Sequence, residues 1–139
     1  MNSAIAEWLG AHMRESTRIL YLPGGPHQIG RCMGGSYDVI ATQCKPEDLD
    51  DRDTMACLWR LGYDFAAAGG VLLLEISGCG ELAPEGKADR GAKLSAIGWS
   101  QWDSMGCVLI LQRVQTLAPW LSNDSLWFMQ PNMVEEGAE

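Results

Sequence analysis

The sequence predicts an α+β domain: a mixed, mostly antiparallel sheet of about five strands carrying two main helices. Three observations predict it. The stretch from Asp50 to Ser77 reads DDRDTMACLWRLGYDFAAAGGVLLLEIS, in which an acidic start leads an apolar-periodic run, two glycines stop it and a solid aliphatic segment follows. Two further apolar segments, YDVIATQ at 37–43 and CVLILQRV at 107–114, read as strands. The chain has 139 residues, 47% of them hydrophobic and 20% charged, enough for one core in one domain spanning 1–139.

Taken in order, Ser3 is placed to cap a first helix, with Ile5, Trp8, Leu9 and Met13 on one helical face and Ser16-Thr17 ending it. Arg18 to Leu22 (RILYL) reads as a short strand stopped by Pro23-Gly24-Gly25-Pro26. Residues 23–36 hold five glycines and two prolines and read as a loop or wide hairpin connection into the strand at 37–43. Lys45-Pro46 breaks that strand. A second helix is expected from Asp53 to Ala68. Asp50, Asp51 and Asp53 stand at its start, where carboxylates oppose the helix dipole, and Gly69-Gly70 is expected to close it as a left-handed cap. Four consecutive aliphatics make Val71–Ser77 a strand covered on both faces and central in the sheet. Residues 78–92 are glycine-rich, Asp89–Ile97 forms a short helix, Thr116–Leu121 a turn and Leu126–Gln130 a last strand; the acidic tail 134–139 is expected to fray.

The formal net charge is −8. Such a chain does not neutralise nucleic-acid phosphates and is repelled by anionic membrane, so a partner, if protein, is expected to present a basic surface. The five cysteines, Cys32, Cys44, Cys57, Cys79 and Cys107, are odd in number, widely spaced and without a C-x-x-C pair, which argues against a zinc ribbon or a disulfide scaffold. Free thiols imply a reducing compartment and hence the cytoplasm. The first residues show neither a basic stretch nor a long apolar run, so no signal peptide or membrane span is expected.

Candidate chemistry is sparse. His27 with Cys32 or Cys44 contains the residue types of a thiol nucleophile and its base. The Asp48, Asp50, Asp51 and Asp53 group lacks the glycine and terminal glutamate of a calcium loop, and a charged helix start explains it, so no metal is expected. PGGPHQIGRCMGG follows a strand but matches neither a P-loop nor a dinucleotide fingerprint. Lys87, Arg90 and Lys93 form a basic cluster against the acidic background, either a solvated helix face or a cradle for an anion such as pyrophosphate. Six tryptophans and seven methionines suit large core fillers or an interaction surface, with Trp99 and Trp102 the candidate contacts.

Beyond residue 37 the order YDVIATQ, DTMACLWRLGYDFAAAGG, VLLLEIS, RGAKLSAIGW, CVLILQRV and LWFMQ resembles the GNAT-type N-acetyltransferase fold. FAAAGGVLLLEI is similar to that family's helix-to-strand phrase, and AIGW to the phrase before its closing strands. The resemblance implies acetyl-CoA as cofactor and Arg52, Lys87 and Arg90 as its phosphate contacts. Two positions depart from the pattern. Asp50-Asp51-Arg52-Asp53 stands where the glycine-rich pyrophosphate loop belongs, and Leu94 stands at the place of the family's tyrosine acid. The leading expectation is therefore a small acidic cytoplasmic protein-binding protein, an inhibitor or regulator of the phage or mobile-element accessory type, without a cofactor. A GNAT-type acetyl-CoA-dependent acyltransferase is the alternative, and a cysteine-dependent enzyme the third.

Overall fold

Most of the chain's aliphatic residues fall into five strands and three helices in a computed structural model that describes residues 2–30, 34–77 and 87–113. The strands are β1 (Ile19–Leu22), β2 (Tyr37–Cys44), β3 (Ala66–Ile76), β4 (Trp99–Met105) and β5 (Val108–Arg113); the helices are α1 (Ser3–His12), α2 (Arg52–Arg60) and α3 (Lys87–Ala96). The five strands form one mixed sheet in the order β1-β2-β3-β5-β4. β1, β2 and β3 run parallel, and β5 is antiparallel to both β3 and β4. The expected α+β class holds, and β3 is central as its aliphatic run requires. The balance between pairings is even, two parallel and two antiparallel, because residues 23–36 connect parallel strands and so form a crossover, not a hairpin.

Side-chain alternation along the strands builds two cores. On one face Ile5, Trp8 and Leu9 of α1 cover Val39, Ala41, Leu73, Val108 and Ile110. On the other, Met55 and Leu58 of α2, Leu94 of α3 and the short 3-10 helices Pro26–Ile29 and Pro46–Asp50 cover Ile40, Leu72, Leu74, Ile76, Leu109 and Leu111. Leu72, Leu73 and Leu74 thus point alternately into two separate cores, which is why the run is unbroken. Asn2 caps α1, its side chain accepting from the Ala4 amide at 2.7 Å, and the helix ends at His12. Met13, expected on the apolar face, lies past that end and is 47% exposed.

The acidic start of α2 is as expected: Asp51 is the N-cap and accepts from the Thr54 amide and hydroxyl, both at 2.9 Å. Its end is not. Ordinary helix stops at Arg60, a π turn runs through Leu61–Phe65, and β3 begins at Ala66. The glycine pair lies within β3, where Tyr37 pairs with Ala66 and Val39 with Val71, so residues 67–70 bulge outward. Gly69 has φ +71°, and a Cβ on Gly70 would sit 2.9 Å from the Ala67 carbonyl oxygen. The bulge, not a helix cap, is what requires glycine there.

Trp99 explains the π turn. It is fully buried, its indole Nε1 donates to the Leu58 carbonyl at 2.8 Å, and its ring lies where a Cβ on Gly62 would come within 3.3 Å. A side chain inserted beside the helical hydrogen-bond ladder is an ordinary cause of such a widening. β4 was not foreseen: Trp99–Met105 is mostly exposed and polar, and the turn at Gly106, with φ +59°, pairs it with β5. The expected strand at 126–130, the turn at 116–121 and the tail 134–139 lie outside the described residues.

Trp99 should dominate a stability scan. Trp99→Ala should cost about 3–5 kcal/mol in urea unfolding. Trp99→Phe, which keeps a ring and loses the indole donor, should cost about 1–3 kcal/mol. Equal losses for the two would show that the hydrogen bond, not the packing, is what matters.

Candidate functional site

Three adjacent parallel strands open their carboxyl ends on one edge of the sheet, the place where open α/β sheets hold ligands. Here the strand ends are tied to one another by polar contacts. The buried Thr42 hydroxyl donates to the Leu22 carbonyl at 2.9 Å, and the Gln43 side-chain amide donates to the Pro23 carbonyl. The Ser77 amide and hydroxyl both donate to the Cys44 carbonyl, at 2.8 and 3.2 Å. After β1 the chain turns through Gly24 and Gly25: the Gly25 amide donates to the Leu22 carbonyl and the Gly24 amide to the Gln28 side chain. Gly25 has φ +117°, and a Cβ there would come within 3.1 Å of the His27 ring and 3.4 Å of the Gln43 carbonyl oxygen, so a glycine lets the loop fold back over β2.

On the α1 side of this edge lies a cavity of about 260 Å³. Asn2, the N-cap of α1, Ile5 of α1, Tyr21 and Pro23 at the end of β1, Thr42 and Gln43 of β2 and Glu75 of β3 line it. The register explains the convergence. Tyr21 pairs with Ala41, and Gln43 pairs with Glu75. Gln43 follows Ala41, and Glu75 follows Leu73, by two residues along their strands, so each projects on the α1 face just beyond the core. Where the apolar rows end, a polar row begins.

The residues singled out from sequence are distributed elsewhere. Arg52 opens α2, Lys87 opens α3 and Arg90 lies one turn further along α3. Lys93, the third member of that basic cluster, is paired with Asp50 and with Asp89, the latter at 3.0 Å, and these hydrogen bonds hold its ammonium above the usual lysine range. β2 and β3, the strands matched to the acetyltransferase pattern, stay in register from Val39–Val71 to Cys44–Ile76 and do not part there into a cleft.

Trp99 is corrected as a contact residue: it is an interior anchor with 0% exposure. Trp102 is 59% exposed, at the irregularity in β4 between Gln101 and Asp103. It lines a groove of about 570 Å³ with Lys87, Ala88, Gly91, Gln101, Asp103 and Ser104. Cys57 and Cys107 are half-buried. His12 is exposed, its ring stacked on Trp8 with centroids 4.2 Å apart.

Cys44 is not poised as a nucleophile. Burial, with Asp48 and Glu47 adding to it, pushes its thiol up to about 12, whereas a nucleophilic cysteine needs a depressed value. Cys32 and Cys79 lie outside the described residues, among which no group of His, Cys, Asp and Glu side chains is arranged to hold a metal ion. None of the helices described is long and apolar enough to cross a membrane.

Tyr21, Gln43 and Glu75 escaped the sequence reading because each is a lone polar residue at a strand end. Only the parallel pairing brings them together; the one local signal was Glu75, the single charge in an aliphatic run. The chain matches no protein-family model and no curated protein.

The Cys44 environment predicts a pH dependence. The unfolded thiol ionises near 9.0 and the folded one near 12. Between these values the unfolded state has released a proton that the folded state keeps, so stability should fall as pH rises, by about 1.4 kcal/mol per pH unit. Urea unfolding of wild type and Cys44→Ala from pH 8 to 10.5 checks this: the excess slope should vanish in the variant. Native-state alkylation of Cys44 at pH 8 should be far slower than in denaturant.

Proposed function

We propose that this protein binds a small polar ligand in the cavity at the carboxyl edge of β1, β2 and β3. One observation carries the reading: side chains from α1 and from all three parallel strands converge on one cavity, and cross-strand hydrogen bonds from Thr42 and Gln43 brace its rim. Bracing of this kind places polar groups before a ligand arrives and lowers the ordering cost of binding. The volume suits a molecule smaller than a drug-sized ligand.

A second reading has its own support. Trp102 stands exposed on an edge strand, beside the α3–β4 groove, and the buried Gln101 Oε1 in that groove's lining has no hydrogen-bond partner among the described residues. An exposed tryptophan beside a groove suits a protein contact, the role of a small regulator of another protein. An acetyl-CoA-dependent transferase has less support, since β2 and β3 stay paired where such a cofactor would enter.

A thermal-shift screen of small polar compounds, with acetyl-CoA included at millimolar concentration, separates these readings. A compound at a hundred times its dissociation constant should stabilise the protein by about 2.7 kcal/mol. Gln43→Ala should diminish that shift, and Trp102→Ala should leave it intact. Stabilisation by acetyl-CoA would reverse the ranking, and a shift lost only in Trp102→Ala would move the site to the α3–β4 groove.

A further inference from the structure

The lining of the carboxyl-edge cavity also restricts what it can hold, an inference that rests on the small-ligand reading above. Most of its side-chain donors are committed within the protein, the Tyr21 hydroxyl excepted. The Thr42 hydroxyl hydrogen goes to the Leu22 carbonyl, the Gln43 amide nitrogen to the Pro23 carbonyl, and the Asn2 amide nitrogen leans on the Cys107 sulfur at 4.0 Å. Of its side-chain acceptors, Asn2 Oδ1 is spent on the Ala4 amide, but two others are not so committed. Gln43 Oε1 remains, and so does the Glu75 carboxylate, which forms no ion pair among the described residues. An ionised carboxylate accepts and cannot donate. Among the described residues Glu75 is also the only charged side chain in the lining, which holds neither lysine nor arginine.

We infer that the cavity takes a small organic cation, an amine or guanidine, whose N–H groups are received by Glu75 and Gln43 while Tyr21 and Ile5 flank its hydrocarbon part. The chemistry is complementary in sign: a half-exposed carboxylate unpaired at the end of a central strand is stabilised by an incoming cation, and a phosphate or carboxylate ligand is repelled. Size narrows the class further. At about 260 Å³ the cavity falls just below the usual range of about 300–1,000 Å³ for drug-sized ligands, which suits a small amine.

Calorimetric titration of the full chain at low salt tests this, with agmatine, putrescine, the neutral 1,4-butanediol and the dianion succinate as probes. At least one amine should bind saturably and the diol and succinate should not. Glu75→Gln, which keeps the shape and removes the charge, should weaken amine binding at least tenfold. Wild-type affinity should fall with added salt, a readout that stands even if the variant folds poorly. Amine binding unchanged in Glu75→Gln and insensitive to salt would overturn the inference, as would succinate binding as tightly as the amines. Binding of diol or succinate that Tyr21→Phe weakens would keep the site and reject the cation. Silence of all four probes, with a silent thermal-shift screen, would reject both.

Discussion

The buried hydrogen bond from the Trp99 indole to the Leu58 carbonyl holds together parts of the chain that nothing local would unite. It joins the edge strand β4 to α2, forty-one residues earlier in sequence. Its ring needs the bare backbone of Gly62, and the π turn begins alongside it, at Leu61. Where that turn ends, β3 begins, so the insertion of one indole is coupled to where the central strand starts. An unpaired indole donor at zero exposure would carry a desolvation cost of about 1–3 kcal/mol, and the Leu58 carbonyl removes it without any polar side chain entering the core.

The position of β3 then determines the rest of the sheet. The bulge at residues 67–70 absorbs the mismatch between the end of the π turn and the register required against β2. Beyond it, Val71–Ile76 pairs without interruption, and the carboxyl ends of β1, β2 and β3 come level enough for Tyr21, Gln43 and Glu75 to share one cavity. The candidate site is therefore a consequence of register. A slip of one residue between β2 and β3 would turn Glu75 toward the α2 core and Leu74 toward the cavity.

What was legible in the sequence follows from how local its physical cause is. The Asp51 cap, the aliphatic β3, the burial of Ile5, Trp8 and Leu9 and the segments of β1, β2 and β5 all rest on interactions within a few residues, or on a burial pattern written into one segment. Strand direction is not of that kind: PGGPHQIG is as consistent with a hairpin as with a crossover until β1 is seen to pair with Val39–Thr42 in parallel. The glycine pair at 69–70 was misread for a related reason, since a left-handed helix cap and a strand bulge both call for glycine. β4 was missed because its burial comes almost wholly from Trp99; the rest of the strand is polar and held by pairing with β5. Tryptophan number was a poor guide to surface, because Trp8 and Trp99 serve the two cores while Trp102 alone among the described tryptophans is largely exposed.

Glu75 is the clearest conflict between folding and another demand. β3 from Ala66 to Ile76 holds a single charged residue, and it falls in the central strand, flanked in register by Gln43 and Val108. An aliphatic residue would continue the α1-side core past Leu73 and avoid the desolvation of a half-buried carboxylate. The described neighbours do not neutralise it: among them no lysine or arginine lines the cavity, and Gln43, its partner in register, spends its amide nitrogen on Pro23. Sequences that fold well agree with themselves at every level except where function intrudes. In this chain the disagreement falls at the carboxyl edge of the parallel strands, on a residue that breaks its own strand's pattern and borders a cavity. Sheet stability alone gives no reason for a carboxylate there; a ligand that supplies the missing positive partner does.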